Sequence, residues 1–325
     1  MSRASKLAKT IALAEGTDVR AAKAAEILTQ KNVCKVVLIG NEDEIKAKFP
    51  EIDFSGVSFD DPKTSEHRAE YANTLYELRK AKGMTEEQAL NIVTNNNMFY
   101  ACVALKRGDV DGVVGGAVFS SADVSRAAFQ VIKAAPGISS VSSCFVMVPP
   151  EDFKYKKYPA YIFSDCAVIP YPTSDQLSDI VVAAAGSAKK ICEMDPKIAM
   201  LSFSTKGSAN HESVEKVRVA YQKVREEHPE IVVDGELQLD ASLVDSVANQ
   251  KAPGSPVAGQ ANVLVFPNLD AGNIGYKIAQ RFGNCMAIGP IMQGLALPVN
   301  DLSRGCVAED IAAVAAITAL QSVKD

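Results

Sequence analysis

The chain has 325 residues, is 47% hydrophobic and 22% charged, and carries a formal charge of -5. That is enough apolar material for one large domain or two ordinary ones. The acidic balance argues against a general nucleic-acid or membrane binder, although a local basic pocket remains compatible with it. No apolar run is long enough to span a bilayer, and Met1 to Thr10 lacks the apolar core of a secretory signal, so a cytoplasmic location is the expectation.

In chain order, apolar strand-like runs alternate with helical patterns, which points to an α/β fold with parallel sheets and crossover helices. Lys35 to Ile39 reads as a buried strand ending at Gly40. Thr85 and Gln88 have capping-box spacing and open a helix over Leu90 and Val93. Asp111 to Val114 reads as a second strand, closed by Gly115 and Gly116, and Cys144 to Val148 as a third, stopped by Pro149 and Pro150. The Pro- and Tyr-rich stretch from Pro149 to Pro159 marks a domain boundary. Strands follow at Tyr161 to Ser164, Ile198 to Phe203 and Val263 to Phe266, with a second capping box at Thr173 and Gln176. The last helix, Val307 to Leu320, sets Val307, Ile311, Val314 and Thr318 at helical spacing.

The chemistry-bearing residues narrow the field. The seven cysteines (34, 102, 144, 166, 192, 285 and 306) show no C-x-x-C spacing and read mostly as buried free thiols. His67, His211 and His228 lie apart in polar segments, so neither a zinc site nor a Ser/His/Asp triad is expected, and a general base would be a carboxylate. Neither the G-x-G-x-x-G nor the G-x-x-x-x-G-K-[ST] fingerprint occurs in the required context.

Four strand ends run into polar loops instead. Ser204-Thr205-Lys206-Gly207-Ser208 precedes a helix from about Ser213. The pattern suits an oxyanion held by backbone N–H groups, and suits a plain hydroxyl N-cap equally well. Gly115 to Ser121 opens a helix carrying Arg126; this is either a close backbone approach to a ligand or a tight turn with a surface arginine. Asn300 to Asp310 gathers Ser303, Arg304, Cys306, Glu309 and Asp310 at the start of the last helix. An arginine fork for phosphate beside a carboxylate is one reading, and a helix start capped by Ser303 with acidic residues favouring the dipole is the other. Ala261 to Lys277 is a strand end, a glycine-bearing turn and a helix start, where Asn273 and Tyr276 offer polar groups to a ligand.

Taken together, the stretches DGVVGGAVFSSADVSRAAFQ, LSFSTKGSA, VDGELQLDASL, GSPVAGQANVLVFPNLDAGNIGYKIAQRFG and GPIMQGLALPVNDLSRGCVAEDI resemble the phosphate acetyltransferase (phosphotransacetylase) family, in family order over most of the chain. Two departures stand out: the turn reads NLDAGN, and Phe119-Ser120-Ser121 replaces a Thr-bearing turn. The resemblance implies a homodimer of two-domain, three-layer α/β/α subunits like the isocitrate and isopropylmalate dehydrogenases, with residues 1–148 plus 301–325 forming one domain, 149–300 the other, and the active site in the cleft. It implies reversible acetyl transfer between coenzyme A and phosphate, with coenzyme A and acetyl phosphate as substrates, without a cofactor or metal, and with no nucleic-acid or membrane partner.

The resemblance also assigns roles. Asp310 is the base, Ser303 the catalytic hydroxyl, and Arg79, Arg126 and Arg304 are substrate or catalytic arginines. Arg304 and the Ser204 to Ser208 loop would hold the leaving phosphate. Transfer would be direct, in a ternary complex, although Cys306 near a helix start is a possible nucleophile. An ordinary carboxylate near ~4 and a thiol near ~8.5 match poorly for proton transfer, so the site must narrow that gap. Alternatives are a phosphate butyryltransferase with a larger acyl pocket, an NAD-dependent decarboxylating dehydrogenase on the related fold, and an inactive acyltransferase-like regulatory protein.

Overall fold

The computed structural model describes residues 1–136 and 138–323. The chain forms two compact units, residues 1–136 with 295–325, and residues 137–294.

The first unit begins with β1 (Thr10–Leu13), α1 (Val19–Gln30), β2 (Lys35–Ile39), α2 (Glu42–Lys48), β3 (Val57–Asp60), α3 (Arg68–Arg79), α4 (Glu86–Asn95), α5 (Asn97–Arg107), β4 (Gly112–Val114) and α6 (Ser121–Ala127). Caps set several of these boundaries. Asp18 accepts from the Arg20 amide at the start of α1. Thr85 and Gln88 form the predicted capping box at α4, with reciprocal bonds of 3.1 and 2.9 Å. Every residue of α5 from Met98 to Leu105 is buried, which explains its nearly unbroken apolar sequence.

The second unit holds β5 (Ser142–Val148), β6 (Tyr161–Ser164), α7 (Ser174–Cys192), β7 (Ile198–Leu201), α8 (Glu212–Glu227), β8 (Val233–Leu237), α9 (Leu239–Leu243), α10 (Asp245–Lys251), β9 (Val263–Val265), α11 (Leu269–Arg281) and β10 (Met286–Gln293). Its sheet runs β10-β5-β6-β9-β7-β8. The β6-β9-β7-β8 part is parallel, whereas β5 pairs antiparallel with both β6 and β10. The parallel strands expected from the sequence are present, with an antiparallel edge that the sequence reading did not include. No helix lies between β5 and β6, and a parallel pair would need a crossover there.

The chain then returns to the first unit with β11 (Val299–Asn300) and α12 (Ala308–Gln321). The first unit's five-stranded sheet, β11-β4-β1-β2-β3, is parallel throughout. The unit boundaries therefore lie at 136 and 295, where the sequence placed them at 148 and 301. The reason is pairing: β5 bonds to β6 and β10 in the second sheet, and β11 bonds to β4 in the first.

The return helix is seated closely. α12 packs on α1 and β4, and a Cβ on Gly112 of β4 would lie 2.3 Å from Thr318 Cγ2. Thr318 in turn accepts from Asn300 Nδ2 at 2.8 Å and donates to the Val314 carbonyl at 2.7 Å. Burial of Ile311, Val314 and Ile317 contributes about 1.5–3 kcal/mol each. The segment joining β11 to α12 is thus held at both ends. Cys34, Cys102, Cys144, Cys166 and Cys306 are buried thiols outside any disulfide. Among the described residues, no helix is long and apolar enough to cross a membrane, and no group of three or more His, Cys, Asp or Glu residues is placed to hold a metal.

Candidate active site

Since β11, β4 and β1 are parallel neighbours, the loops leaving their carboxyl ends emerge side by side. Glu15, just past β1, is buried, and its carboxylate fills the turn after β4. Oε2 accepts from the Gly116 and Ala117 amides at 3.1 and 2.9 Å, and Oε1 from Val118 and Phe119 at 2.7 Å each. The glycine loop therefore wraps a carboxylate of the protein itself, and those four amides are not open to a ligand. Gly116, at φ 115°, abuts the next loop; a Cβ there would lie 2.2 Å from Asp301 Oδ1 and 2.7 Å from the Leu302 nitrogen.

The segment after β11 carries the central prediction. Ser303 and Arg304 are exposed, Cys306 is buried, and Asp310 is half-buried in the first turn of α12. The Cys306 amide donates to the Ser303 carbonyl at 2.9 Å and the Gly305 amide to Ser303 Oγ at 3.3 Å, forming a tight turn. Asp310 Oδ2 accepts the Val307 amide at 3.0 Å, so Val307, and not Ser303, stands at the helix cap. Among the described residues the Arg304 guanidinium has no hydrogen-bond or ion-pair partner, while its carbonyl accepts from Arg20 at 2.8 Å.

Two titrating groups shape this region. Burial pushes Asp301 up to about 6, and the Glu15 charge adds to the effect, against hydrogen bonds from Ser121 and the Leu302 amide. Its Oδ1 is buried without a partner. Burial pushes the Cys306 thiol up to about 11; Arg20 opposes this, and the charges of Asp310, Glu15 and Asp18 reinforce it.

The other two arginines named from the sequence, Arg79 and Arg126, lie on α3 and α6 of this unit. Arg79 ends α3, with its buried Nε unpaired, and lines a pocket of about 360 Å³ with Lys82, Met84, Gln88, Asn91 and Ile92. Arg126 is exposed in the last turn of α6, paired with Asp123 at 2.9 Å. No hydrogen bond or ion pair joins either residue to 301–310 among the described residues.

In the second unit, the Ser204–Ser208 loop closes around Glu236. Ser204 Oγ and the Gly207 amide both donate to Glu236 Oε1 at 2.8 Å, while Arg218 Nε donates to Oε2 at 3.0 Å. Lys206 pairs with buried Asp234. Burial alone would raise Glu236, but Arg218, the Gly207 amide and Ser204 outweigh it and hold the carboxyl at about 2. Of the two readings of this loop, the oxyanion cradle finds a carboxylate of the chain itself in that place, and the helix that follows is capped by His211. Asn273 donates to the Cys166 carbonyl at 3.0 Å, and Tyr276 is buried against Phe145 with ring centroids 4.0 Å apart.

Sequence reasoning missed Glu15, Arg20, Asp165, Glu236 and Asp301. Asp165 repeats the theme of Glu15: its carboxylate accepts from the Ser143 hydroxyl and from the amides of Ser143, Ala167, Val168 and Ile169. Glu15 and Asp165 lie just past the apolar strands β1 and β6, where a lone charge closing an apolar run was the available signal, whereas Glu236 lies within β8 beside Asp234 and Asp301 follows the two-residue β11.

The family model described as phosphate acetyl/butaryl transferase matches residues 1–319. The chain belongs to this family. It is accordingly an acyltransferase. A phosphate acetyltransferase of Acetivibrio thermocellus is 51% identical over 322 residues, which is 99% of this chain and 96% of that one. A phosphotransacetylase structure from Streptococcus pyogenes shares 41% identity at a TM-score of 0.91, covering 99% and 97% of the two chains. A 4-hydroxythreonine-4-phosphate dehydrogenase from Klebsiella pneumoniae matches at a TM-score of 0.56 with 13% identity, over 97% and 98% of the chains, which shows the dehydrogenase-like α/β fold alone.

Proposed function

We propose that this acyltransferase interconverts acetyl-CoA plus phosphate with acetyl phosphate plus coenzyme A, by direct transfer in a ternary complex. The observation that carries the assignment is the turn at the start of α12, which presents an exposed hydroxyl, a guanidinium unpartnered among the described residues and a carboxylate within eight residues, Ser303, Arg304 and Asp310. The names of the close relatives supply the substrates. Asp310 takes the proton of the coenzyme A thiol. The thiolate attacks the acetyl phosphate carbonyl, Ser303 donates to the developing oxyanion, and the C–O bond to phosphate breaks. Arg304 receives the departing phosphate with its two-pronged fork. As written, the reaction balances without a metal or cofactor.

The remaining residues take lesser parts in this reading. The cationic wall of Arg79 and Lys82 suits an anionic group of coenzyme A, and Arg126 is assigned a substrate contact made in exchange for Asp123. Of the Ser204–Ser208 loop, the exposed Ser208 hydroxyl is the group best suited to meet phosphate, because Lys206 and the Gly207 amide already have carboxylate partners. Asn273 and Tyr276 support the substrate surface from a packed position. The raised Cys306 thiol favours direct transfer over an acyl-enzyme, because little thiolate exists there at neutral pH. A cytoplasmic homodimer is the working form in this account.

The test is phosphate-dependent thiol release from acetyl-CoA, with butyryl-CoA as the comparison substrate. Release that saturates with both substrates and favours acetyl-CoA is expected. No phosphate-dependent release would refute the assignment, and a clear preference for butyryl-CoA would move it to the larger acyl group.

A further inference from the structure

We infer that Arg20 is a positioning residue for the transfer, one that fixes the backbone of the Ser303-Arg304 turn against the loop after β4. This inference rests on the catalytic reading of Arg304 proposed above. A guanidinium has five N–H groups in one plane. At Arg20 each of the five finds an acceptor. Nε and one Nη2 hydrogen bond Asp18 Oδ1 and Oδ2, both at 2.9 Å. The second Nη2 hydrogen goes to the Ala117 carbonyl at 2.8 Å, and the two on Nη1 go to the carbonyls of Arg304 at 2.8 Å and Cys306 at 3.4 Å. No donor is left for a substrate, so Arg20 does not act by binding one.

What Arg20 does is join three segments. Asp18 caps α1 and, by its two-point pair, sets the plane of the guanidinium. Ala117 lies in the loop whose amides Glu15 already holds from the other side. The third segment is the turn itself, gripped at the carbonyls on either side of Gly305. Fixing the Arg304 carbonyl fixes the direction in which the exposed Arg304 side chain leaves the backbone, and the turn has few other ties. Lysine cannot replace this fork, because its donors radiate from a single nitrogen.

The test is a double-mutant cycle of Arg20→Met and Arg304→Lys, read by kcat, the KM for coenzyme A and thermal unfolding. Misplacing a reacting group by about 1 Å costs on the order of 100-fold. Arg20→Met is expected to lower kcat by about 10- to 100-fold, with the KM for coenzyme A changed less than about threefold. In the Arg304→Lys background the same change should lower kcat by less than about threefold, because the fork it positions is already lost. Wild-type kcat in Arg20→Met overturns the inference, as does an equal fold-loss in both backgrounds, which would mark a general structural role. Wild-type kinetics in Arg304→Lys alone would instead overturn the catalytic reading of Arg304. If Arg20→Met does not fold, Asp18→Asn keeps an N-cap while weakening the two-point pair. It should show the same loss of kcat at unchanged KM to a smaller degree, and an unchanged kcat in that variant counts against the inference.

Discussion

Replacing Glu15 by Gln removes one of the two acceptor oxygens that hold the loop after β4. In the native chain each carboxylate oxygen takes two backbone amides, four in all. Glutamine keeps one oxygen and turns an NH2 donor toward the other pair. The lower-cost orientation leaves the oxygen on the buried Gly116 and Ala117 amides and the NH2 facing Val118 and Phe119, where Val118 is 61% exposed and water can compensate. Two N–H groups lose their partner at about 1–3 kcal/mol each, with the lower end appropriate so near solvent. The loss is reduced further by relief of the Glu15 charge acting on Asp301. The net expectation is a destabilisation of about 2 kcal/mol, a fall in Tm of roughly 4–8 °C for a unit of this size. Glu15→Ala, which removes all four acceptors, should cost distinctly more. Thermal unfolding followed by circular dichroism checks both. A Tm for Glu15→Gln within about a degree of wild type would show that the loop does not depend on this carboxylate.

Two pH effects have opposite signs. Asp301 titrates at about 6 in the folded chain against an ordinary 3.8, so folding is favoured at low pH and that advantage is lost as pH rises through about 6. Asp301→Asn should therefore stabilise the protein at pH 7–8, by up to about 3 kcal/mol, and leave it near wild type at pH 4, as measured by urea denaturation at the two pH values. Glu236, held at about 2 against 4.5, contributes stability that is present above pH 4.5 and lost as pH falls toward 2. Glu236→Gln should flatten the acid side of the stability profile, and an unchanged profile would contradict the Arg218 pairing. Cys306→Ser should keep substantial kcat with intersecting initial-rate plots, because the native thiol is raised to about 11. Parallel plots, or acetyl label retained on Cys306 without coenzyme A, would restore a covalent route.

The fold was legible where local chemistry is strong. The capping boxes at Thr85 and Thr173 are present with both reciprocal bonds, and the strand at Tyr161–Ser164 has the predicted ends. The strands β1, β3 and β11 were not read, while the equally short β4 was, because Gly115-Gly116 close its apolar run. The antiparallel edge of the second sheet depends on the absence of a helix between β5 and β6, a tertiary matter that strand patterning does not record. The Ser303–Asp310 segment was singled out because a hydroxyl, a guanidinium, a thiol and carboxylates fall close together, and the family resemblance supplied the roles proposed for them. Glu15, Arg20 and Glu236 were not, because, apart from the Asp18–Arg20 pair, their partners are backbone groups or side chains about 20 to nearly 290 positions away. The partners of two small polar loops, Glu15 and Glu236, were not legible for the same reason. A loop shaped for an oxyanion accepts a carboxylate from its own chain equally well.

The measurement that tests the central claim most directly is the kcat of Asp310→Asn in the transfer between acetyl phosphate and coenzyme A. Asparagine retains an oxygen to accept the Val307 amide, so the start of α12 is preserved while the proton acceptor is lost. The account predicts a fall in kcat of about 100-fold or more with KM values near wild type. A kcat close to that of the native enzyme would remove Asp310 from the role of base.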